Sequence, residues 1–246
     1  MISTSNINIK SVKYISLKKD FIRRFLLRTL LCNLKCEKKW IPGVTYDGKN
    51  PVHKAFLKNG CQPYLKGKMH QHRQKGVVGC WIAHTNALED IKEEEGLTVI
   101  LEDDFVCQRG FFTKAVNMLR EFDQVFDIVI FDPHGSGPLS EHCIGKDIYL
   151  NGGTWPEYWG SHFLFINNEN VPKIIEAKRN SPISDYDGFL TTNTELKIYL
   201  FYSRKCTTIN FGSNILRTSK AKDVVSGIFN WMKHRFSTSD YLKRVY

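Results

Sequence analysis

Hydrophobic and polar positions along the chain alternate between a strand-like and a helix-like period. Short apolar, β-branched and aromatic runs predict strands over 13–17, 97–101, 126–131 and 163–166. Apolar residues spaced three and four apart predict helices over 20–34, 77–94, 111–122 and 171–178, and clustered turn formers make 41–76 mainly loop. Because strands alternate with helices, we expect an α/β fold whose mostly parallel sheet is covered on both faces.

The composition is that of an ordinary folded protein. Of 246 residues, 42% are apolar and 24% are charged, which excludes disordered, collagen-like and coiled-coil chains. The seven cysteines are irregularly spaced, and there is neither an apolar export segment nor a run of roughly 20 apolar residues that could span a bilayer. We therefore expect a cytoplasmic protein with reduced thiols, in which Cys32 and Cys36 are buried as small apolar groups.

Charge is distributed unevenly. The net charge is +10, with +14 in residues 1–75, −7 in 76–130, −2 in 131–212 and +5 in 213–246. If the fold brings the acidic and basic segments together, it could hold a cation beside a phosphorylated ligand, and the basic ends would favour anionic surfaces. The alternative is a solvated basic face. No nucleic acid partner is expected, because neither a zinc-finger spacing nor an RNA-recognition pattern occurs.

Three consecutive carboxylates follow the predicted strand 97–101, namely Glu102, Asp103 and Asp104. Like charges so close together raise each other's pKa unless a cation lies among them. At the carboxyl end of a buried parallel strand they would project into the crevice where open α/β sheets bind ligands, and their oxygens suit Mg²⁺ or Mn²⁺. The sequence therefore favours a metal-diphosphate site. The alternative is a solvated loop or a cap on the helix that follows.

Several blocks between about 12 and 210 together resemble glycosyltransferase family 25, the lipooligosaccharide and collagen galactosyltransferases. They are Tyr14-Ile15-Ser16-Leu17 with Arg23-Arg24, Gly79-Cys80-Trp81-Ile82-Ala83-His84, Leu101-Glu102-Asp103-Asp104, Gly160-Ser161-His162-Phe163-Leu164-Phe165-Ile166 and Tyr186-Asp187-Gly188-Phe189-Leu190. The acidic block is the most specific. Ser16 stands where the family usually has Asn, and Ala83 where it has Ser.

The resemblance implies a GT-A-like, single Rossmann-type domain over 10–212, followed by a basic, aromatic extension over 213–246. It also implies an inverting glycosyltransferase that moves a sugar, galactose by analogy, from a UDP-sugar to a hydroxyl of a glycan. A lipooligosaccharide, lipopolysaccharide or other surface glycan is the first acceptor choice, and a collagen-type hydroxylysine is the second.

The same resemblance suggests roles for the acidic residues. Glu102 and Asp104 would hold Mn²⁺ or Mg²⁺, which would neutralise charge on the departing nucleoside diphosphate. Asp103 would contact the donor ribose or sugar. Inversion needs a base on the opposite face, for which we predict Asp187, with Asp185 as its competitor. The alternative is that Asp187 is a capping or turn residue before Gly188.

Further donor contacts are expected from four residues with family counterparts. Arg23 and Arg24 have the fork geometry that favours diphosphate, although at least one should face solvent because adjacent helical residues point apart. His84 and His162 are expected at the donor, with His162 completing the metal shell or contacting a sugar; either could instead be a hydrogen-bonded interior group. Nearby aromatic residues could stack on an acceptor sugar or pack in the core: Trp155, Tyr158 and Trp159.

The tail over 228–246 mixes aromatic and basic residues. It predicts peripheral attachment to an anionic membrane surface, and the alternative is a terminal helix docked in the core. Two other functions compete with the glycosyltransferase. One is a metal-dependent phosphatase or nuclease, supported only by the acidic triplet. The other is a catalytically inactive glycosyltransferase-like protein that binds polyanions, against which the retained carboxylates argue.

Overall fold

A computed structural model describes residues 8–51, 71–135, 142–153, 158–181, 185–209 and 221–237. The strands are β1 Ile9–Ser16, β2 Glu37–Pro42, β3 Leu97–Glu102, β4 Phe105–Cys107, β5 Ile128–Phe131, β6 His134–Gly135, β7 Cys143–Gly145, β8 Ile148–Leu150, β9 Tyr158–Trp159, β10 Phe163–Asn167, β11 Ile198–Phe201 and β12 Cys206–Thr208. The helices are α1 Phe21–Leu31, α2 Gln71–Ile91, α3 Phe111–Glu121, α4 Val171–Asn180, α5 Tyr186–Thr192 and α6 Ala221–Phe236.

The main sheet has eight strands in the order β2-β1-β3-β10-β5-β11-β8-β7. β1 is parallel to β2 and to β3, and β5 is parallel to β11, whereas β10 is antiparallel to both of its neighbours, β3 and β5. Since β3 and β5 both oppose β10, they run in the same direction. Most strands therefore point the same way, and β10 and β8 are reversed.

The core consists of two layers, one on each face of the sheet. Helices α2, α4 and α5 pack on one face, through residues such as Trp81, Ile174 and Phe189. Helices α1, α3 and α6 pack on the other, through residues such as Leu27 and Phe111. The predicted α/β class, with a mostly parallel sheet covered on both faces, is confirmed.

Several details differ from the sequence prediction. The region expected to be loop contains the end of β2 and the start of α2, and 52–70 lie outside the described residues. β2 was missed because it is a largely exposed edge strand with consecutive charged residues. The expectation that Cys32 and Cys36 are buried is wrong: Cys32 is exposed and Cys36 is partly exposed, because they lie at the end of α1 and in the loop before β2.

Strand directions bring the predicted site residues to one edge of the sheet. β1 and β3 end there at Ser16 and Glu102, and β5 ends just before Asp132. Because β10 is reversed, its first residues begin at the same edge, and His162 and Ser161 immediately precede them. This is the edge at which open α/β sheets bind their ligands.

Candidate active site

Glu102 is the last residue of β3, and alternation along the strand turns its side chain toward the face covered by α2. Its Oε1 accepts a hydrogen bond from Ser161 Oγ at 2.6 Å and lies 3.1 Å from His84 Nε2. Burial acts to raise the pKa of Glu102, but the contacts with His84 and Ser161 outweigh it and the pKa is lowered. Glu102 is therefore a fixed, ionised carboxylate.

His84 lies behind Glu102. It is buried, and its ring stacks on Tyr186 with centroids 4.0 Å apart. Burial lowers the pKa of His84, so the ring is neutral near pH 7. Because an ionised carboxylate only accepts, we assign the proton to Nε2. Gly79, five residues earlier in α2, permits a close helix–loop approach, since a Cβ there would lie 2.2 Å from Val44 O.

Asp103 turns toward helix α1, where Arg23 Nη1 lies 3.2 Å from its Oδ1. Both side chains are mostly buried. Burial raises the pKa of Asp103, and the Arg23 guanidinium partly offsets that shift. Arg24 is directed elsewhere: it donates to the carbonyls of Leu17 and Lys18, and its guanidinium lies 4.5 Å from the Trp40 ring centroid. Of the two predicted arginines, only Arg23 touches the acidic triplet in the described part of the chain.

Asp104 carries an unsatisfied buried oxygen. Its Oδ1 has no hydrogen-bond partner among the described residues. Burial, and then the negative charges of Glu102 and Asp103, raise its pKa well above the usual range. A divalent cation would satisfy this oxygen and remove the repulsion that disfavours its ionised form. The donor set therefore fits a hard divalent cation such as Mn²⁺ or Mg²⁺.

His162 lies at the start of β10 with two unsatisfied nitrogens. Within the described ranges neither Nδ1 nor Nε2 makes a hydrogen bond of good geometry, although the Asp132 backbone lies close to the ring, which is 3% exposed. Its centroid lies 4.9 Å from that of His134, whose Nε2 is 3.2 Å from Thr208 Oγ1. Burial, together with His134, lowers the pKa of His162 to about 3. The ring is thus neutral near pH 7 and retains a lone pair for a metal or ligand.

Asp187 lies in the first turn of α5 and approaches the sheet edge. Its Oδ1 accepts a hydrogen bond from Gly160 N at 3.1 Å. Burial, and then the negative charges of Glu102 and Asp185, raise the pKa of Asp187 to about 7. Gly160 is required there because its φ is +131° and a Cβ would lie 2.8 Å from the His162 ring.

Asp185 has a different position from Asp187. It is the N-cap of α5, and its Oδ1 accepts a hydrogen bond from Gly188 N at 2.6 Å. The capping role considered for Asp187 therefore belongs to Asp185.

Ser161 is the functional residue that sequence reasoning missed. Its hydroxyl donates to Glu102 Oε1 and lies beside Asp187, whose pKa it acts to lower. It therefore lies between the carboxylate at the end of β3 and the one on α5, and its only sequence signal was its place between Gly160 and His162. Among the predicted aromatic residues, Trp155 lies outside the described residues, while Tyr158 and Trp159 form β9, which pairs with β6.

Fold and site define an α/β protein with a carboxylate-rich edge. No family model and no curated protein matches the sequence. Among solved structures, the chain is similar to a glycosyltransferase involved in the glycosylation of the major capsid of PBCV-1, with 9% sequence identity and a TM-score of 0.42. The match covers 80% of this chain and 83% of the other. A similarity this low does not bear on the chemistry of the site.

Proposed function

We propose that this protein is a divalent-metal-dependent glycosyltransferase that moves a sugar from a nucleoside diphosphate to a hydroxyl of a glycan. The observation that carries the proposal is the meeting, at one edge of the sheet, of an acidic triplet with a partly buried carboxylate whose pKa is about 7; Ser161, bonded to Glu102, lies between them. Galactose as the sugar, UDP as the nucleotide and a surface glycan as the acceptor rest on the sequence resemblance.

The metal would be held by Glu102 and Asp104, and His162 would contact the donor sugar, because the ligand atoms of these three residues do not all lie within 4.8 Å of one another. Both side-chain hydrogen bonds described for Glu102 converge on Oε1, so Oε2 would be left to bind the cation. A bound divalent ion supplies charge neutralisation for a departing diphosphate. Arg23, beside Asp103, would add a guanidinium fork that suits phosphate oxygens.

Asp187 would remove the acceptor proton. A base works best when its pKa lies near the working pH, and a pKa of about 7 meets that condition. As the acceptor oxygen attacks the anomeric carbon, its proton passes to Asp187, and the bond from that carbon to the diphosphate oxygen breaks. Attack opposite to the leaving group inverts the anomeric configuration. The Gly160 N–H orients the carboxylate.

The test is nucleotide release from a panel of UDP-sugars, first UDP-galactose, with Mn²⁺ and a lipooligosaccharide acceptor. We expect UDP release that needs Mn²⁺, stops with a chelator and matches sugar transferred to the acceptor. Sugar released to water at the same rate without acceptor would instead indicate a hydrolase. If no UDP-sugar raises the melting temperature with Mn²⁺ present, the donor assignment fails.

The membrane proposal concerns an apolar stripe on α6. Val225, Phe229, Met232 and Phe236 are exposed at helical spacing, whereas Trp231 is buried and belongs to the core. The helix therefore docks on the domain and still presents an apolar face. No helix in the described part of the chain is long and apolar enough to cross a membrane. The last turn of α6 also carries basic residues. We therefore propose that α6 lies on an anionic bilayer surface.

Replacing Phe229 and Met232 together with Ser should lower binding to anionic phospholipid vesicles by about a hundredfold or more, because each fully buried aromatic or aliphatic side chain contributes roughly 1.5–3 kcal/mol. Sedimentation with vesicles measures the bound fraction. The matched control is Val125→Ser, since Val125 is also exposed but lies outside α6. Equal binding by the double variant and the native protein would contradict the assignment.

A further inference from the structure

Helix α2 and strand β3 bring together a cysteine, a histidine and a carboxylate. Cys80 and His84 are four residues apart on α2 and therefore share one face of the helix. Glu102 ends the neighbouring strand. One ligand atom from each of the three lies within 4.8 Å of the other two. This is the one such trio in the described ranges.

The donor set differs in kind from the carboxylate edge. A thiolate, an imidazole and a carboxylate suit a borderline-soft ion of the zinc class, whereas Mg²⁺ and Mn²⁺ prefer oxygen. Ligand atoms that bind Zn²⁺ tetrahedrally at 2.0–2.3 Å lie roughly 3.3–3.8 Å apart. Atoms already within 4.8 Å reach that geometry by small side-chain rotations. Three protein ligands leave a fourth position for water or substrate.

The surroundings favour a cation at this trio. His84 Nδ1 is buried and has no hydrogen-bond partner among the described residues. Cys80 is a free thiol. The Lys178 amine acts on both Cys80 and His84. It is buried, with its Nζ 3.8 Å from the Trp81 ring centroid and 4.2 Å from that of Tyr186. Burial lowers the pKa of Lys178 well below its usual value, so the amine opposes a cation less than an ordinary lysine would.

We propose that Cys80, His84 and Glu102 form a second metal site, selective for zinc-class divalent ions over Mg²⁺ and Mn²⁺. Binding releases the Cys80 thiol proton to solvent; the ion binds His84 at Nε2, and the proton that now faces Glu102 moves to Nδ1, which has no hydrogen-bond partner among the described residues. Zinc binding at this site does not depend on the proposed function. The effect of zinc on activity does depend on it: because Glu102 belongs to both metal sites, Zn²⁺ at this site inhibits glycosyl transfer.

Titration of the reduced full-length protein with Co²⁺, a coloured substitute for Zn²⁺, tests the site. We expect one equivalent of Co²⁺ to give a thiolate-to-metal charge-transfer band, and one equivalent of Zn²⁺ to remove it. Cys80→Ser should abolish the band, and Glu102→Gln should weaken Co²⁺ binding at least tenfold. Cys32→Ser is the matched control, because Cys32 is an exposed free thiol outside the trio, and this variant should keep the full band.

A band of equal intensity in Cys80→Ser, or no band in the native protein, would overturn the proposal. Thermal melting without metal shows whether Cys80→Ser folds, and Cys80→Ala provides a second variant. The two proposals fail separately. A Co²⁺ band without any sugar transfer would reject the glycosyltransferase proposal and support the metal site. Mn²⁺-dependent transfer without the band would support the glycosyltransferase and reject the metal site.

Discussion

Replacing Asp187 with Asn should lower kcat for glycosyl transfer by about 10²–10⁴-fold, the usual contribution of a positioned general base. Asn preserves the shape of the side chain and its acceptance from Gly160 N–H, but it cannot take up a proton. The KM for the donor should change little, because Asp187 would act on the acceptor. Initial rates of UDP release at saturating acceptor measure the effect.

The pH dependence of the native enzyme should reflect the same carboxyl. Burial and the charges of Glu102 and Asp185 raise the pKa of Asp187 to about 7, so the group is protonated and inactive as a base below that pH. We therefore expect kcat/KM to rise with pH through about 7 and to level off above it. The residual activity of Asp187→Asn should lack this limb.

Asp185→Asn provides the control, because it removes the same charge two residues away. Asn is about as good an N-cap as Asp, so α5 should keep its capping bond to Gly188 and its stability. Activity should stay within a few-fold of native, with the pH limb shifted to lower pH because one negative charge beside Asp187 is gone. If Asp185→Asn loses activity and Asp187→Asn keeps it, the base is misassigned.

The acidic edge was predictable because its signal is local. A buried strand followed at once by Glu102, Asp103 and Asp104 needs no knowledge of the fold to be located. A short apolar run also marks β11, whose residues Ile198–Phe201 are all buried, but this strand was not predicted. Strands of two or three residues, such as β6 and β12, are too short to show a period.

The contacts within the site depend on long-range geometry. Ser161 and Glu102 are 59 residues apart, and they meet only because β10 is reversed. In the described parts of the β5–β10 connection there are short strands and no helix crossover, so β10 starts at the edge where β5 ends. The roles of Asp185 and Asp187 likewise depend on where α5 begins. Asp185 caps the helix because it directly precedes the first helical residue, and Asp187, in the first turn, contacts Gly160.

The second large effect is expected at Asp104, where function and stability should oppose each other. Burial and the charges of Glu102 and Asp103 raise its pKa well above the usual range. A folded-state pKa above the unfolded value means that the ionised form destabilises the fold at neutral pH, and that this cost disappears at low pH, where both states are protonated. Asp104→Asn removes the charge and keeps the shape.

Without metal, Asp104→Asn should therefore be more stable than the native protein at pH 7–8 by roughly 0.5–2 kcal/mol, the range of typical stabilising substitutions. The gain should shrink as the pH is lowered through the folded pKa toward the unfolded one. With Mn²⁺ the order should reverse, because an ion at a hundred times its Kd stabilises the native protein by about 2.7 kcal/mol and the variant has lost a ligand. Transfer activity should fall at least a hundredfold.

Thermal melting with and without Mn²⁺ measures both halves of this prediction, and Asp123→Asn is the control because it removes a charge from an exposed aspartate outside the triplet. The control should keep the native Mn²⁺ shift. A more stable apo variant that keeps its Mn²⁺ shift would place the cation elsewhere. A lost shift without any gain in apo stability would mean that folding does not raise the pKa of Asp104. Only gain and loss together identify Asp104 as a charged ligand whose repulsion the cation relieves.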